Sequence, residues 1–281
     1  MILFKDSIHA LPMTQINIQT NFNSISEIVS ALKSGEAGDN VDLYKFNLKG
    51  VDLNGTNLNK INFVNANLQD ADLRGANLQD ADLRGANLQG ANLQDANLQG
   101  AYLNRTNLEE ANLEGTNLDG ATLKLSRYNS QTKWSENFAY KSSGAVGPGA
   151  NLGGAYLNTV NLQYADLQKT NFLGAYLSGA DLTGANLEGA RLSGADLRLA
   201  FLTGACLRNA RLNNTDLRGV DLRAADLSNV EMENIQNIAG ADFSMVYGMS
   251  DRLQAMLLSR PASEIDVWNA YTRRTTRESL G

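Results

Sequence analysis

The two side chains that do most nucleophilic and redox chemistry occur once each, as His9 and Cys206. One imidazole and one thiol do not make a histidine-based triad, a Cys/His zinc site or an internal disulfide. Carboxylates are the remaining candidates, with 30 acids in 281 residues. Acid–base work needs a carboxylate held in a cleft with perturbed ionisation. The acids here recur instead in a regular string, of which Ala71-Asp72-Leu73-Arg74-Gly75 is one unit. The glycine-rich stretch Gly144-Ala145-Val146-Gly147-Pro148-Gly149 lacks the Lys-Ser/Thr that follows a phosphate loop. No catalytic, cofactor-binding or metal-ligating residue is assigned, no cofactor is called for, and the chain reads as a non-enzyme.

Where the acids point depends on the string that carries them. From residue 41 to 123, and again from 150 to 232, an apolar residue stands at every fifth position, beginning Leu43, Leu48, Leu53, Leu58, Phe63 and ending at Met232. A small or β-branched residue, most often Ala, stands two places before it, as in Ala185-Asn186-Leu187-Glu188-Gly189. Five residues advance an α-helix by about 500°, which would spread the leucines around its surface. On a flat strand they would alternate between faces. A chain that turns a square corner every five residues puts each leucine and alanine inside, and four units close one turn. Residues twenty apart then stack at about 4.8 Å, the spacing of paired strands. The acids face outward over several faces of a filled coil, which has no cleft.

The repeating unit Ala-(Asp/Asn)-Leu-x-(Gly/x), in phase seventeen times in each block, resembles the pentapeptide-repeat family, of the cyanobacterial type. The resemblance implies an all-β solenoid, a right-handed quadrilateral β-helix, here with short helical caps and one loop insertion. It implies no single function, because the family's members do unrelated things.

Five parts are expected: an N-terminal lead and capping helix (1–40), a first block of coils (41–123), a loop insertion (124–149), a second block (150–232) and a C-terminal helical cap and tail (233–281). In the first part Ser24 and Glu27 have capping-box spacing, Ile25, Ile28, Val29 and Leu32 form one stripe, and Gly35 can close a helix over 24–35. That helix would cover an open β-edge, which otherwise invites pairing with other chains. Leu123 and Leu152 are out of phase, so the chain must leave the coil and return. The loop aromatics Tyr128, Trp134, Phe138 and Tyr140 either pin it to the wall or clamp a ligand, and the string from Tyr128 to Trp134 resembles an insert of cyanobacterial pentapeptide-repeat proteins. Past the coil, Ser250 can cap a helix that stops before Pro261, and a second short helix is expected over 263–268. The segment beyond, with Arg273, Arg274 and Arg277, is either a cap over the last coil or a partner-binding tail; residues 260–281 resemble the tails of the same cyanobacterial proteins.

What remains is surface. The chain is mildly acidic, with net charge −6, no apolar run of membrane-span length and no secretory-signal pattern at its start, so a cytoplasmic setting is expected. Stacking by twenty gives asparagine columns in the first block, Asn47, Asn67, Asn87, Asn107 and Asn57, Asn77, Asn97, Asn117, which suit rung-to-rung hydrogen bonds. The second block instead places Tyr156 on Tyr176 and Arg198 on Arg218, with Phe201 pointing outward among them. Those five residues are the candidate partner surface, and the tyrosines suit either binding or cross-strand stacking.

Three readings follow. The first is an interaction scaffold binding a protein partner of unknown identity, with a homodimer left open. The second is a DNA-mimicking topoisomerase (gyrase) binder, as in the family's quinolone-protection proteins. Net charge is −5 over 41–123 but −1 over 150–232, which argues against mimicry of a uniformly charged duplex. The third, direct nucleic-acid binding, is opposed by arginines interleaved with Asp196, Asp216, Asp221 and Asp226.

Overall fold

The computed structural model describes residues 24–36 and 41–281. His9 and the expected lead over 1–23 lie outside them. From Val41 onward the leucine string winds into a stack of four-sided turns. Parallel bridges join Asp42 to Asn62, Asn47 to Asn67, Asp52 to Asp72 and Asn57 to Asn77, and Asn62 passes on to Asp82. We name sides A, B, C and D after those four starts. Each rung is tied in both directions: the Leu43 N–H donates to the Asn62 carbonyl at 2.8 Å, and the Asn62 N–H to the Val41 carbonyl at 2.9 Å.

The corners explain the fifth position of the unit. Residues there take left-handed backbone, as at Gly115 (φ 70°) and Asp95 (φ 57°). Glycine adopts it freely, and Asn and Asp tolerate it better than most residues. The Leu positions are buried along the whole coil and form one cluster with the Ala positions, of which Ala121 and Ala155 beside the insert are half-buried. At two of the positions where Thr replaces Ala the hydroxyl finds a partner inside: Thr106 Oγ1 donates to the Leu83 carbonyl at 2.9 Å, and Thr116 Oγ1 to the Leu93 carbonyl at 2.8 Å.

The coil is interrupted over residues 134–145. Asn112 bridges Lys133, one residue late, and Arg127 bridges Val146, one residue early. Between them the chain is irregular apart from a 3-10 turn at Tyr140–Ser142. Tyr128 is buried and meets Trp134 edge-on at 5.4 Å and Tyr140 edge-on at 5.5 Å. Trp134 in turn stacks on Tyr140 at 5.1 Å and on Phe138 at 5.6 Å. The aromatics therefore pin the insert to the coil. The ladder resumes on side B, where the Gly149 N–H donates to the Gln168 carbonyl at 2.8 Å. In the second block Asn151 starts side C, Tyr156 side D, Asn161 side A and Asp166 side B.

The coil also runs past residue 232, where the five-residue string loses its phase. Asp216 bridges Asn237, Asp221 bridges Asp242 and Asp226 bridges Tyr247, each one residue late. The extra residue falls near 233–236, after which Ile238 and Phe243 fill the interior.

Helices close both ends. Helix α1 (Ile25–Ser34) is capped by the Ser24 hydroxyl, which accepts from the Glu27 N–H, and by Gly35 in left-handed backbone; it buries Ile28, Ala31 and Leu32. Lys33 holds it to Asp52 at 2.7 Å. At the other end lie α2 (Asp251–Leu258), capped by Ser250, α3 (Ala262–Ile265), which is shorter than the 263–268 expected, and α4 (Thr276–Leu280). The sequence reading passed over α4, although Thr275 and Glu278 form a full capping box. These helices close the last rung with side chains. The Ile238 N–H donates to Glu264 at 3.1 Å, and Arg260 donates to the Ile235 and Gln236 carbonyls at 3.0 and 3.2 Å. Ser279 Oγ accepts the Phe243 N–H at 3.0 Å, and Asn269 Nδ2 donates to the Gly240 carbonyl at 2.7 Å. The tail thus caps the final edge.

Candidate functional site

Among the described residues no group of three or more His, Cys, Asp and Glu is placed to hold a metal ion, and no helix is long and apolar enough to cross a membrane. The surface is left. In the first block it is a framework. Asn77 Nδ2 donates to Asn57 Oδ1 at 3.0 Å, Asn97 to Asn77 at 3.1 Å and Asn117 to Asn97 at 3.2 Å. Each Oδ1 also accepts the N–H two residues on, as Asn77 does from Gln79 at 3.3 Å. The amides are consumed by their own column.

Side D of the second block is built differently. Tyr156 and Tyr176 bridge each other, and their rings stack at 4.7 Å with 3° between planes. They remain 74% and 43% exposed. Tyr176 passes to Asp196, and Asp196 to Asp216. Arg198 forks onto Asp196 at 2.8 and 2.6 Å, and Arg218 Nε sits 3.0 Å from both Asp216 oxygens. The Arg198 hydrogen bond holds the Asp196 carboxyl below the usual range, and Asp196 raises the Arg198 guanidinium in return. A partner would meet two flat rings, then two fixed carboxylate–guanidinium pairs.

Four of the five candidate residues therefore share side D. Phe201 does not. It lies round the corner on side A, bridged to Asp181 and Asp221, half-buried, with Tyr271 of the tail edge-on at 5.0 Å. Below it Asp221 is buried. Burial pushes that carboxyl up, but hydrogen bonds from Arg223 and Thr203 outweigh it and the group ends below its ordinary value. Arg223 holds it at 2.9 and 2.8 Å.

Sequence reading missed two exposed apolar corners, Tyr164 (φ 56°) and Leu199 (φ 58°). Each covers a glycine twenty residues on. A Cβ at Gly184 would lie 2.6 Å from the Tyr164 ring, and one at Gly219 would lie 2.7 Å from Leu199 Cδ2. The signal was present: a bulky residue at the corner position, with Gly one turn later. Cys206 sits on side B, partly exposed, between Asn186 and Asp226.

A family model described as pentapeptide repeats matches the chain in eight copies, over residues 47–85 and 86–124 and in overlapping segments from 149 to 236. A search of curated proteins found no match. Among solved structures, HetL, a pentapeptide repeat protein involved in heterocyst differentiation regulation in the cyanobacterium Nostoc sp. strain PCC 7120, is 28% identical over 78% of this chain and 97% of its own, with a TM-score of 0.27. A pentapeptide repeat protein of the Arabidopsis thaliana thylakoid lumen is 32% identical over 46% of this chain and 83% of its own, with a TM-score of 0.25. Full-length QnrB1, a plasmid-mediated fluoroquinolone resistance protein, is 20% identical over 78% and 98%, with a TM-score of 0.33. With its five-residue unit, its twenty-residue bridges and a family match over more than half its length, this chain belongs to the pentapeptide repeat family.

Proposed function

We propose that the chain is a non-catalytic scaffold that binds a protein partner on side D of its second block, through Tyr156, Tyr176, Arg198 and Arg218, with Phe201 reached round the corner. The observation that carries this is the Tyr156–Tyr176 stack, which is flat and yet 74% and 43% exposed. The leucine interior does not need it, and Tyr and Arg are the residues enriched at interface cores and hot spots. The paired arginines present fixed charge without a large net field, which suits a protein face better than a nucleic acid. In this reading the coil winds right-handed as a quadrilateral β-helix, as the resemblance implies, and works in the cytoplasm.

The test is capture of cellular partners by the parent, by a Tyr156→Ser/Tyr176→Ser variant and by an Asn87→Ser/Asn97→Ser variant, with melting compared. Loss of the partner with the tyrosines alone supports the assignment, and loss with the asparagines alone overturns it. Inhibition of purified gyrase at sub-micromolar concentration would put DNA mimicry in its place.

A further inference from the structure

Where the second block begins, one edge of the coil is left without its neighbour. In a regular turn the outward residue uses both backbone groups: the Tyr176 N–H donates to the Ala155 carbonyl at 2.9 Å, and its carbonyl accepts from the Leu157 N–H at 2.8 Å. Asn161, which opens side A of the second block, does neither. Its N–H and its carbonyl have no partner among the described residues. The cause is the insert. Residues 134–145 should form the preceding rung, but they are gathered into the Tyr128–Trp134–Tyr140 cluster. The next carbonyl along, that of Gln163, is met by the Arg127 guanidinium at 3.4 Å in place of a strand.

Beside that edge opens a groove of about 350 Å³, lined by Leu125, Val146, Val160 and Leu162, with Arg105 and Arg127 among its residues. Arg127 is paired with Glu109 at 2.9 Å. Arg105 is exposed, and its side chain has neither ion pair nor hydrogen bond among the described residues. The site therefore combines an unpaired strand edge, an apolar hollow and an uncompensated cation. Open edges accept added strands, with backbone bonds supplying affinity and side-chain hollows supplying selectivity.

We propose that this groove receives a short extended peptide segment of a protein partner, added as a rung against Asn161, with an apolar side chain in the hollow and a carboxylate at Arg105. The inference rests on the scaffold reading above and names a second contact for the same partner. Its chemistry is specific: alternating apolar and acidic residues fit, and basic ones do not.

The probe is a fluorescein-labelled peptide, Thr-Val-Glu-Val-Thr, with a Thr-Val-Lys-Val-Thr control, followed by fluorescence anisotropy on the full chain. We expect the glutamate peptide to bind the parent and Arg105→Glu to weaken it about tenfold or more, as loss of one charge pair would. The same change should favour the lysine peptide. Val160→Trp, which fills the hollow, should abolish binding of the glutamate peptide. Amide exchange at Asn161 should slow when the glutamate peptide is present, a readout that needs no variant to fold. Equal binding of the two peptides, indifference to Arg105→Glu, unchanged exchange at Asn161, or no binding at millimolar concentration each overturns the proposal. If the tyrosine double change loses the partner while no peptide binds, only the groove falls. If the peptide binds while that change leaves capture intact, only the side D assignment falls.

Discussion

On side D the first block carries Asn57, Asn77, Asn97 and Asn117, and the second carries Tyr156, Tyr176, Asp196 and Asp216. The interiors behind them are the same, with Leu98 and Leu177 both fully buried. The outward position is thus free to vary while the inward ones fix the turn. In the first block it serves the column itself, each amide bonded to the one a turn before. The identical decapeptides at 68–77 and 78–87 show how little individuality that needs. In the second block the same position holds rings that bond to nothing polar among the described residues, and carboxylates locked by arginines. The lesson is that a repeat this strict divides its labour by depth: the inner layer makes the fold, and only the outer layer can differ by purpose.

The shared interior gives the largest expected effect. Leu93→Asp and Leu187→Asp each bury an unpaired carboxylate at a fully buried site, and both should abolish the cooperative melt. The milder Leu93→Ala and Leu187→Ala should each cost about 2–5 kcal/mol, measured by denaturant unfolding. A large inequality between the two would show that the blocks do not share one kind of core.

The outer layer should split them. Asn87→Ser/Asn97→Ser breaks amide links of two columns and should cost about 0.5–1.5 kcal/mol per bond in melting. Tyr156→Ser/Tyr176→Ser should cost about 0.5–1.5 kcal/mol through the lost ring pair, and should carry the binding loss. An equal loss of partner from both variants would erase the distinction.

Acid sharpens it further. Hydrogen bonds from Arg198 and Ser228 hold Asp196 and Asp226 below their ordinary range, and Asp221 stays low despite its burial. The first block has Asp72, held down by Arg74, and the exposed Asp52, held down by Lys33. Each native value lies below the unfolded one of about 4, so the contribution is complete above that pH and is lost as pH falls through the native value. Hydrogen exchange followed from pH 5 downward should show the second block loosening first. Early loosening of the first block would contradict it.

The smallest effect is at the corners. Gly115→Ala and Gly174→Ala both put a side chain in left-handed backbone, at roughly 1 kcal/mol. Of the two, Gly115 also meets a neighbour, since an added Cβ would run into the Asp95 side chain, while Gly174 faces open space. Thermal melts should therefore rank Gly115→Ala as the worse change.

Much of this was legible because the period of five allows a single geometry. Leu43 through Met232 had to be inside, and Tyr156 had to lie over Tyr176. The cover on Phe201 was hidden because Tyr271 comes from a tail seventy residues on with no period of its own. The continuation to Tyr247 was hidden by one added residue near 233–236, which shifts the phase without ending the ladder. The open edge at Asn161 was invisible for the opposite reason: its repeat unit is regular, and only the missing neighbour makes it unusual.

The turn length itself sets a rule for how such a chain can grow. Adding or removing both decapeptides at 68–87 would shift the stack by one whole turn, and every later residue would keep its compass bearing relative to α1. Removing only one is half a turn. Tyr156 and Tyr176 would then stand in line with the Asn47 side rather than the Asn57 side, with the period of five unbroken. Variation in steps of twenty thus keeps the bearing of one end on the other and changes only their separation, by about 4.8 Å a turn, whereas a step of ten turns the far end to the opposite side.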